Sequence, residues 1–456
     1  MADLGSLSRE ELIALIEEQR RLIAELRAEM ERLKRAQNRS AAPFSKNQPK
    51  ADPKRPGRRP GQGPFLRRAE PVQLPATTVI AEVPSCCPAC GGQWEQERLE
   101  VVTTIDIPAN PQPVVTAYQV PHCRCQKCGK RVRGTAPGLA PDQTGATAHR
   151  VGPVVMAAAH ALHYGSGVPV RKVPAVLKEL TGISITQSAL TQDALRRAEG
   201  EVGAEYQRLR ETVPAAPVIH TDDTGWRVGG RTAFLMGFDT DQATVYQIRD
   251  RHRNEEVREV LGDGFGGVLV SDRGKSYEAE EFAGMQQQKC VAHLLRNISE
   301  VVEAKCGRAR QFGTELEAAL REGLDLWHVR DDLSPDEFTT RAWELDQVLT
   351  YLLRDRALRD PDNQRLLDGI GLQQDRGRLL TFLTVEGVEP TNNRAERILR
   401  PAVIARKVSQ CSKNQRGAEA FAAFASIIQT ARKTVRQTAT EVLRALFSPI
   451  PALSLR

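Results

Sequence analysis

The chain has 456 residues, of which 40% are hydrophobic and 27% are charged, so it is too long for one compact core and too apolar to be wholly disordered. Its longest apolar stretches, such as residues 154–159, are far shorter than the roughly 18 residues of a membrane helix, and its polar, acidic start is unlike a secretion signal. The net charge of +7 is concentrated in residues 31–70, which hold 12 Lys and Arg against 3 Asp and Glu. We therefore expect several domains, no membrane insertion or secretion, and a polyanionic partner or, alternatively, a solvated basic linker.

The first 37 residues have the pattern of an amphipathic helix. Ser8 and Glu11 form a capping box, and apolar residues recur in steps of four and three from residue 12 to residue 33. With Ile16 and Ile23 at a positions and leucines at d positions, the pattern favours a parallel coiled-coil dimer whose register Gln19 fixes. A helix that packs on its own chain is the alternative.

A basic linker follows this helix. Residues 38–63 are rich in Pro, Gly, Lys and Arg and contain almost no apolar side chains, so they form no core. A flexible segment of this kind can lie along phosphates with little sequence preference. Its candidate DNA-contacting residues are Lys54, Arg55, Arg58 and Arg59.

Six of the nine cysteines lie between residues 86 and 128, a clustering that favours metal binding over disulfides. Two C-x-x-C-G knuckles supply four thiolates for a tetrahedral structural Zn²⁺, with redox thiols as the alternative. The 34 residues between the knuckles exceed the usual ribbon spacing, but strands predicted over residues 99–107 and 114–120 form a hairpin that brings the knuckles together. The expected ligands are Cys87, Cys90, Cys125 and Cys128.

Residues 148–210 alternate apolar and polar positions at the helical period and predict three helices, with breaks at residues 165–168 and 181–183. Residues 170–197 contain a helix, a glycine turn and a second helix, which is the order of a helix-turn-helix motif. Spacing alone does not distinguish such a DNA-binding motif from a helical support for the next domain.

From residue 217 the hydrophobic period changes from that of a helix to that of a strand. Strands are predicted over residues 217–220, 226–228, 232–238 and 243–248, followed by a helix over residues 254–261 and a buried strand over residues 267–270. Further helices are predicted over most of residues 296–385 and over residues 394–400 and 418–433. The pattern indicates a mixed α+β region in the order β-β-β-α-β.

Carboxylates at the ends of these elements indicate phosphodiester chemistry. Asp222 and Asp223 follow the first predicted strand, Asp272 ends the fourth, and Glu396 lies on a later helix. Adjacent central strands place Asp222 beside Asp272, and a helix that crosses the sheet brings Glu396 to the same edge. Two Mg²⁺ or Mn²⁺ ions about 4 Å apart would offset the repulsion between these groups, one activating the attacking oxygen and the other stabilising the leaving oxygen. The sequence therefore predicts a site that cuts or joins DNA.

Other polar residues near these carboxylates are candidates for supporting roles. Cys290 and His293 have the spacing of half a metal site, but we expect them to be packed and hydrogen-bonded rather than liganded. Trp226 is expected in a buried strand, with stacking on an unpaired base as the alternative. Candidate phosphate contacts near Glu396, some of which alternatively pair with surface acids, are Asn392, Asn393, Arg394, Arg397, Arg400, Arg406 and Lys407.

Together these motifs resemble the IS66-type insertion-sequence transposases, which are DDE enzymes with a ribonuclease-H-like fold. The resemblance rests on the N-terminal zipper, the cysteine knuckles and the segments SKNQPKADPKRPGRRPGQGPF, HTDDTGW, VSDRGKSY, CVAHLLRN and TNNRAERILRPAVIARK. It implies that the catalytic carboxylates are Asp222, Asp272 and Glu396. Asp223 stands where the family commonly has Glu, so the choice between Asp222 and Asp223 as the first carboxylate remains open.

The expected fold is multidomain α+β, with a zinc-ribbon-like module and a ribonuclease-H-like α/β core interrupted by a helical insertion. The 123 residues between Asp272 and Glu396 imply this insertion. The expected N-terminal segments are a coiled-coil helix (1–37), a basic linker (38–79), the zinc module (80–133) and a helical, candidate DNA-binding region (134–214). The expected core segments are its first part (215–295), the helical insertion (296–385) and the part that carries Glu396 (386–434), followed by a C-terminal helix and tail (435–456).

The resemblance implies a cytoplasmic, nucleoid-associated DNA transposase that binds element ends and performs metal-dependent cleavage and strand transfer. A homodimer or higher oligomer is expected, and two small accessory proteins of the element are candidate partners. One alternative is a nuclease that cleaves without joining. Another is an inactive or domesticated DNA-binding regulator in which the carboxylate site is idle.

Overall fold

The computed structural model describes residues 111, 113–140, 142–145, 148–354, 357–409, 411–434 and 437–447, together with scattered positions before residue 104. The chain divides into two compact units, Met1–Ala109 and Asn110–Arg456. In the first unit, the described positions 13, 17–23, 25, 26 and 30 are helical and exposed. The coiled-coil pairing of this helix stays a prediction.

The second unit begins with a small antiparallel hairpin. Strand β1 (His122–Arg124) pairs with strand β2 (Arg131–Arg133), and the turn between them contains the second cysteine knuckle. The strand predicted over residues 114–120 is wrong, because these residues form no regular element. Val114 and Val115 are 93% and 90% exposed, so their β-branched side chains have no sheet face to pack against. Of the partner strand predicted over residues 99–107, only residues 102 and 103 lie within the described part of the chain.

Helices fill the next part of the chain, where four are present instead of the three predicted. A single π-helical turn, Ala161–Gly165, extends the first of them, and Gly200 separates the last two. Gly182 has a φ of +71° and ends the second helix, and the Thr186 hydroxyl accepts a hydrogen bond from the Ala189 amide to cap the third. These helices are α1 (Pro153–His160), α2 (Val173–Thr181), α3 (Gln187–Glu199) and α4 (Glu201–Thr212).

A five-stranded mixed sheet forms the centre of the unit, in the order β5-β4-β3-β6-β7. The first three strands are antiparallel, whereas β6 and β7 run parallel to β3. Helix α5 (Asn254–Leu261) connects β5 to β6, as expected for a parallel crossover. The strands are β3 (Val218–Val228), β4 (Arg231–Asp239), β5 (Thr244–Arg249), β6 (Val268–Ser271) and β7 (Gln287–Lys289).

Two features of this sheet differ from the prediction. The strands predicted over residues 217–220 and 226–228 are one continuous strand, because β4 pairs with β3 from His220 to Val228. Asp222 and Asp223 therefore lie within a strand and do not follow one. Strand β7 was not predicted, since its sequence, Gln-Gln-Lys, is polar, yet all three residues are buried.

After β7 the chain is helical. Among the described residues, five helices lie between β7 and the helix that carries Glu396: α6 (Val291–Glu303), α7 (Gly307–His328), α8 (Pro335–Leu353), α9 (Pro361–Asp375) and the short α10 (Thr381–Thr384). Glu396 lies on α11 (Asn393–Ser409), which is followed by α12 (Gln415–Thr434) and α13 (Ala439–Phe447). In the part of the chain that the structure describes, no helix combines the length and apolar character needed to cross a membrane.

Apolar cores cover both faces of the sheet. On one face, Ile219 and Leu269 share a core with helices α1–α4 and with Phe424 and Phe447 of the last two helices. On the other face, Val268 and Val270 pack with helices α6–α9. Residues of β3, β4 and β5, including Trp226, pack on that same face with α11 and α12. The sheet therefore has helices on both sides.

Candidate active site

Asp222 lies on β3, and Asp272 is the first residue after the neighbouring parallel strand β6. The register pairs Val218 with Val268 and His220 with Val270, and Asp222 and Asp272 each lie two residues further along. Because side chains alternate between the faces of a sheet, a step of two residues keeps each aspartate on the face of His220 and Val270. The sheet register thus places both carboxylates on the face covered by α6 and α11.

Helix α11 brings Glu396 to this face. The backbone amide of Asn392, just before the helix, donates to Cys290 Sγ over 3.2 Å, and its side-chain Nδ2 donates to the carbonyl oxygen of Thr221 over 2.7 Å. The start of α11 is therefore fastened to β3, one residue from Asp222. The buried Asn392 side chain is 0% exposed, whereas that of Glu396 is 41% exposed and accessible to substrate.

A glycine on β4 permits the helix to cross the sheet closely. Gly237 is the register partner of Asp222. A Cβ atom at this position would lie 2.9 Å from Ile398 Cδ1 and 3.2 Å from Leu399 Cδ2, both on α11. Because carbon atoms rarely approach to 2.9 Å, a larger residue here would push the helix away from the strand.

His293 lies between the carboxylates. Its Nε2 atom is 3.8 Å from Glu396 Oε1, and its proximity also acts to lower the pKa of Asp222. A hydrogen bond with Cys290 is the main reason that the pKa of His293 is raised. Burial acts to raise the pKa of the Cys290 thiol, but hydrogen bonds from His293 and the Asn392 amide outweigh it and leave the pKa lowered. Cys290 is thus buried and accepts a hydrogen bond from the Asn392 amide, while the His293 ring faces Glu396.

Electrostatic strain is concentrated on Asp222. Burial first, and then the nearby Asp272 and Asp223 carboxylates, raise the pKa of this carboxyl to about 6 against the opposing hydrogen bond from the Asp223 amide. Asp272 is held differently, since its Oδ1 accepts a hydrogen bond from the Gly274 amide over 2.8 Å. The site therefore contains closely spaced carboxylates whose repulsion a cation would relieve.

Asp223 points away from this group. As the next residue in β3, it projects from the opposite face, where its Oδ1 lies 3.1 Å from His252 Nε2. The same nitrogen is 2.9 Å from Ser276 Oγ. The hydrogen bond with Asp223 is the main cause of the raised pKa of His252. Asp223 is thus engaged by a histidine on the far side of the sheet, a partner that no sequence motif signals.

The donor set suits a hard divalent cation. Asp222, Asp272 and Glu396 offer only carboxylate oxygens, the ligands that Mg²⁺ and Mn²⁺ prefer, and the raised pKa of Asp222 shows the electrostatic demand for a positive charge. Within the described residues, no three His, Cys, Asp or Glu side chains are already gathered in a geometry that would hold a metal ion. The chemistry of the residues therefore fits such an ion, while the side chains are not arranged as a closed cage.

The candidate phosphate-contacting residues of α11 fall into two groups. Arg394 is engaged internally, with Nε 3.2 Å from Asp239 Oδ2 and Nη1 2.7 Å from Asp241 Oδ1. Arg406 donates from Nη1 to Thr224 Oγ1 over 3.0 Å and to the carbonyl oxygen of Gly225. The second group is exposed to solvent and consists of Asn393, Arg397, Arg400 and Lys407.

The second cysteine knuckle has the expected local geometry. Cys125 and Cys128 are exposed, and Gly129, with a φ of +71°, allows the chain to turn back from β1 to β2. Hydrogen bonds from the backbone amides of Cys128 and Lys127 lower the pKa of the Cys125 thiol. Both sulfurs are therefore disposed as thiolate ligands on one turn, which fits half of a zinc site. Cys90 is described and exposed, whereas Cys87 and the linker residues Lys54, Arg55, Arg58 and Arg59 lie outside the described residues.

Trp226 is a buried strand residue, as the sequence favours, with 3% exposure and a hydrogen bond from its Nε1 to Ser412 Oγ of 3.2 Å. His220, two residues before Asp222, is fully buried, and burial is the main reason that its pKa is lowered to about 4. Neither side chain is presented to solvent, so neither offers a surface to an unpaired base.

Comparison with known proteins identifies the class. The model of a family described as "Transposase IS66 family" matches residues 149–420, a span that includes Asp222, Asp272 and Glu396. The chain belongs to the IS66 family of transposases, which confirms the resemblance seen in its motifs.

The chain is also similar to a bacterial protein and to a solved structure. An uncharacterized protein, y4hP, of Sinorhizobium fredii (strain NBRC 101917 / NGR234) is 25% identical over 408 residues, which cover 80% of this chain and 71% of that protein. Among solved structures, the catalytic core domain of HTLV-2 integrase, in complex with magnesium and in dimeric form, is 11% identical. The alignment covers 33% of this chain and 97% of the integrase chain, with a TM-score of 0.15.

Proposed function

We propose that this protein is the DNA transposase of an insertion sequence and that Asp222, Asp272 and Glu396 are its catalytic carboxylates. The observation that carries the proposal is the register of β3 and β6, which sets Asp222 and Asp272 side by side on the face crossed by α11. The engagement of Asp223 by His252 on the opposite face favours Asp222 as the first carboxylate. The mixed strand order, with three antiparallel strands followed by two parallel ones, is the order expected of a ribonuclease-H-like core.

In this proposal the three carboxylates hold two Mg²⁺ or Mn²⁺ ions, which would activate the attacking oxygen and stabilise the leaving oxygen of a phosphodiester. The exposed Glu396 lies nearest to solvent, whereas Asp222 and Asp272 form the inner wall of the site. In the first step, a water oxygen attacks a phosphorus at the element end and the 3′ oxygen leaves. In the second step, the freed 3′ hydroxyl attacks a phosphorus of target DNA, whose own 3′ oxygen leaves. The number of phosphodiester bonds is conserved in the second step, so no nucleotide cofactor is required.

DNA contacts are proposed for the exposed residues of α11, namely Asn393, Arg397, Arg400 and Lys407, because solvated cations next to Glu396 can pair with phosphates. Arg394 and Arg406 support the site by fastening α11 to the loop after β4 and to β3. The basic linker adds sequence-independent contacts through Lys54, Arg55, Arg58 and Arg59.

The remaining parts of the proposal concern assembly. The cysteine knuckles Cys87/Cys90 and Cys125/Cys128 would bind one structural Zn²⁺, for which the turn at Gly129 and the lowered pKa of Cys125 are the support. The N-terminal helix would dimerise the chain as a coiled coil. Since the substrate is element and target DNA, the site of action would be the cytoplasm at the nucleoid, with two small accessory proteins as further partners.

A marker flanked by the DNA ends that border the gene tests the proposal. Excision and insertion are measured in cells that supply the neighbouring reading frames, with wild type compared with Asp222→Asn, Asp272→Ala and Asp223→Asn. We expect joined product from wild type, none from Asp222→Asn or Asp272→Ala, and residual product from Asp223→Asn. Wild-type joining by Asp272→Ala would refute the assignment of the site. Excision without insertion in wild type would indicate a nuclease, and DNA binding without either product would indicate a regulator.

A further inference from the structure

A buried lysine lies behind Asp272. Lys289, the last residue of β7, is 0% exposed, although lysine is rarely buried completely. Its ammonium nitrogen is 3.2 Å from the backbone oxygen of Asp272, 3.3 Å from Ser271 Oγ and 2.6 Å from Glu278 Oε1. The Lys289 side chain thus extends from the edge strand β7 to the end of β6. Asp272 is the first residue of the loop that follows β6.

Charge balance alone does not account for this lysine. Glu278 Oε2 accepts a hydrogen bond from Arg376 over 2.9 Å and from Arg378 over 3.1 Å, whereas Oε1 faces Lys289, so the carboxylate retains two guanidinium partners without Lys289. Both arginines follow α9, at the end of the helical insertion. An apolar residue in place of Lys289 would therefore leave Glu278 paired through Oε2, while Oε1 would lose its cationic partner.

The backbone oxygen of Asp272 lies beyond the sheet ladder. The parallel ladder between β6 and β7 ends at the pair Ser271 and Lys289, one residue short of Asp272. The carbonyl of Ser271 accepts from the Cys290 amide over 2.8 Å, which completes the pairing of the strand. At Asp272 itself, the backbone oxygen accepts from Ser271 Oγ over 3.0 Å and from the Lys289 ammonium over 3.2 Å, and the ammonium also contacts that Ser271 Oγ.

We propose that Lys289 is a positioning residue that fixes the backbone of Asp272 and couples it to the helical insertion through Glu278, Arg376 and Arg378. This inference rests on the proposed function, since it assigns a role to Asp272 in catalysis. Lys289 does not face the carboxylates and touches no reacting group. It holds the main chain from which the Asp272 side chain projects, and a displacement of about 1 Å at a catalytic group can reduce a rate by about 100-fold.

The test compares Lys289→Met with wild type and with Lys305→Met. Lys305 is a matched control because it also pairs with insertion carboxylates, those of Asp360 and Asp362, but does not contact Asp272. Amide hydrogen exchange is measured in the metal-free, DNA-free full-length protein for the peptide that contains residues 271–275. We expect exchange in this peptide to be about 10-fold faster in Lys289→Met, and unchanged in Lys305→Met.

Strand transfer is then measured with the same proteins. We expect Lys289→Met to lower kcat by about 10- to 100-fold at an unchanged KM for DNA, because the DNA-contacting surface is intact. A merely structural role would lower the unfolding midpoint without this division between kcat and KM. Lys289→Gln, which keeps a neutral N–H donor, is expected to show exchange and kcat between those of wild type and Lys289→Met.

The outcomes separate the two proposals. Wild-type amide exchange of residues 271–275 in folded Lys289→Met would overturn the positioning role. If Lys289→Met fails to fold, wild-type exchange of the same peptide in Lys289→Gln would overturn it. If wild type transfers no strand but the exchange difference is present, the proposed function fails while the link between Lys289 and the Asp272 backbone stands.

Discussion

Removal of the Asp222 charge is expected to stabilise the metal-free protein. The pKa of this carboxyl is raised from its ordinary value of 3.8 to about 6, mainly by burial and then by Asp272 and Asp223. Since each pKa unit corresponds to about 1.4 kcal/mol, the ionised Asp222 costs the folded state about 3 kcal/mol. Asp222→Asn removes this cost and keeps a side chain of nearly the same shape.

The sign of the pH dependence follows from the raised pKa. Below about pH 4, Asp222 is protonated in both the folded and the unfolded chain, so the wild type has no penalty. Between about pH 4 and pH 6, the unfolded chain loses its proton first, and the wild type is progressively destabilised. Above about pH 6 the penalty is complete. Asp222→Asn should therefore exceed the wild type in stability by about 3 kcal/mol at pH 7.5, and by much less near pH 4.5.

Denaturant unfolding in EDTA at these two pH values measures the effect, with Asp223→Asn as the matched control. This control loses the ion pair with His252 but keeps an ionisable Asp222, so it should retain most of the pH-dependent penalty. Added Mg²⁺ should raise the stability of the wild type and leave that of Asp222→Asn unchanged, because a ligand stabilises only the folded state that binds it. An equal difference between wild type and Asp222→Asn at both pH values would refute the electrostatic account of the site.

Further predictions concern the elements that support the site. Gly237→Ala should displace α11 and lower strand transfer about 10-fold at a stability cost of about 1–3 kcal/mol, whereas Gly264→Ala, whose Cβ would meet only open space, should change neither rate nor unfolding midpoint. Arg400→Ala should weaken DNA binding and reduce the slope of log affinity against log salt concentration by about 1. Arg394→Ala should lower thermal stability because it leaves buried Asp239 with one partner fewer. Cys125→Ser should reduce bound zinc, as measured by elemental analysis of the purified protein.

The sequence indicates the central site because its signals are local. Short apolar runs that precede aspartates, at residues 217–220 and 267–270, mark the start of β3 and the whole of β6, and their similar patterns already suggest that Asp222 and Asp272 lie side by side. The choice between Asp222 and Asp223 needs the structure, because adjacent residues in a strand face opposite sides and the sequence does not show which face carries α11. His252, the partner of Asp223, lies in a loop and belongs to no motif.

Other features are hidden because polar residues take on structural roles. Strand β7 reads as a polar turn, yet the Gln288 side chain donates to the carbonyl oxygens of Lys289 and Leu379, so burial leaves its amide group satisfied. Asn392 looks like a phosphate ligand next to Glu396, but it is buried and holds α11 on β3. Conversely, residues 114–120 have the composition of a strand but form no regular element in the described part of the chain.

The core on the Ile219 face joins the two ends of the described unit. Met156 and Leu190, from the helices before the sheet, pack with Phe424 and Phe447, from the last two helices. The His160 ring lies 5.0 Å from the Phe424 ring at a tilt of 39°, and Arg197 lies over the ring of Phe447 with 3.6 Å between its guanidinium carbon and the ring centroid. A gene copy cut short by a stop codon before residue 415 would thus encode an open half-core with exposed apolar helices, a substrate for cellular proteases and not a smaller working nuclease.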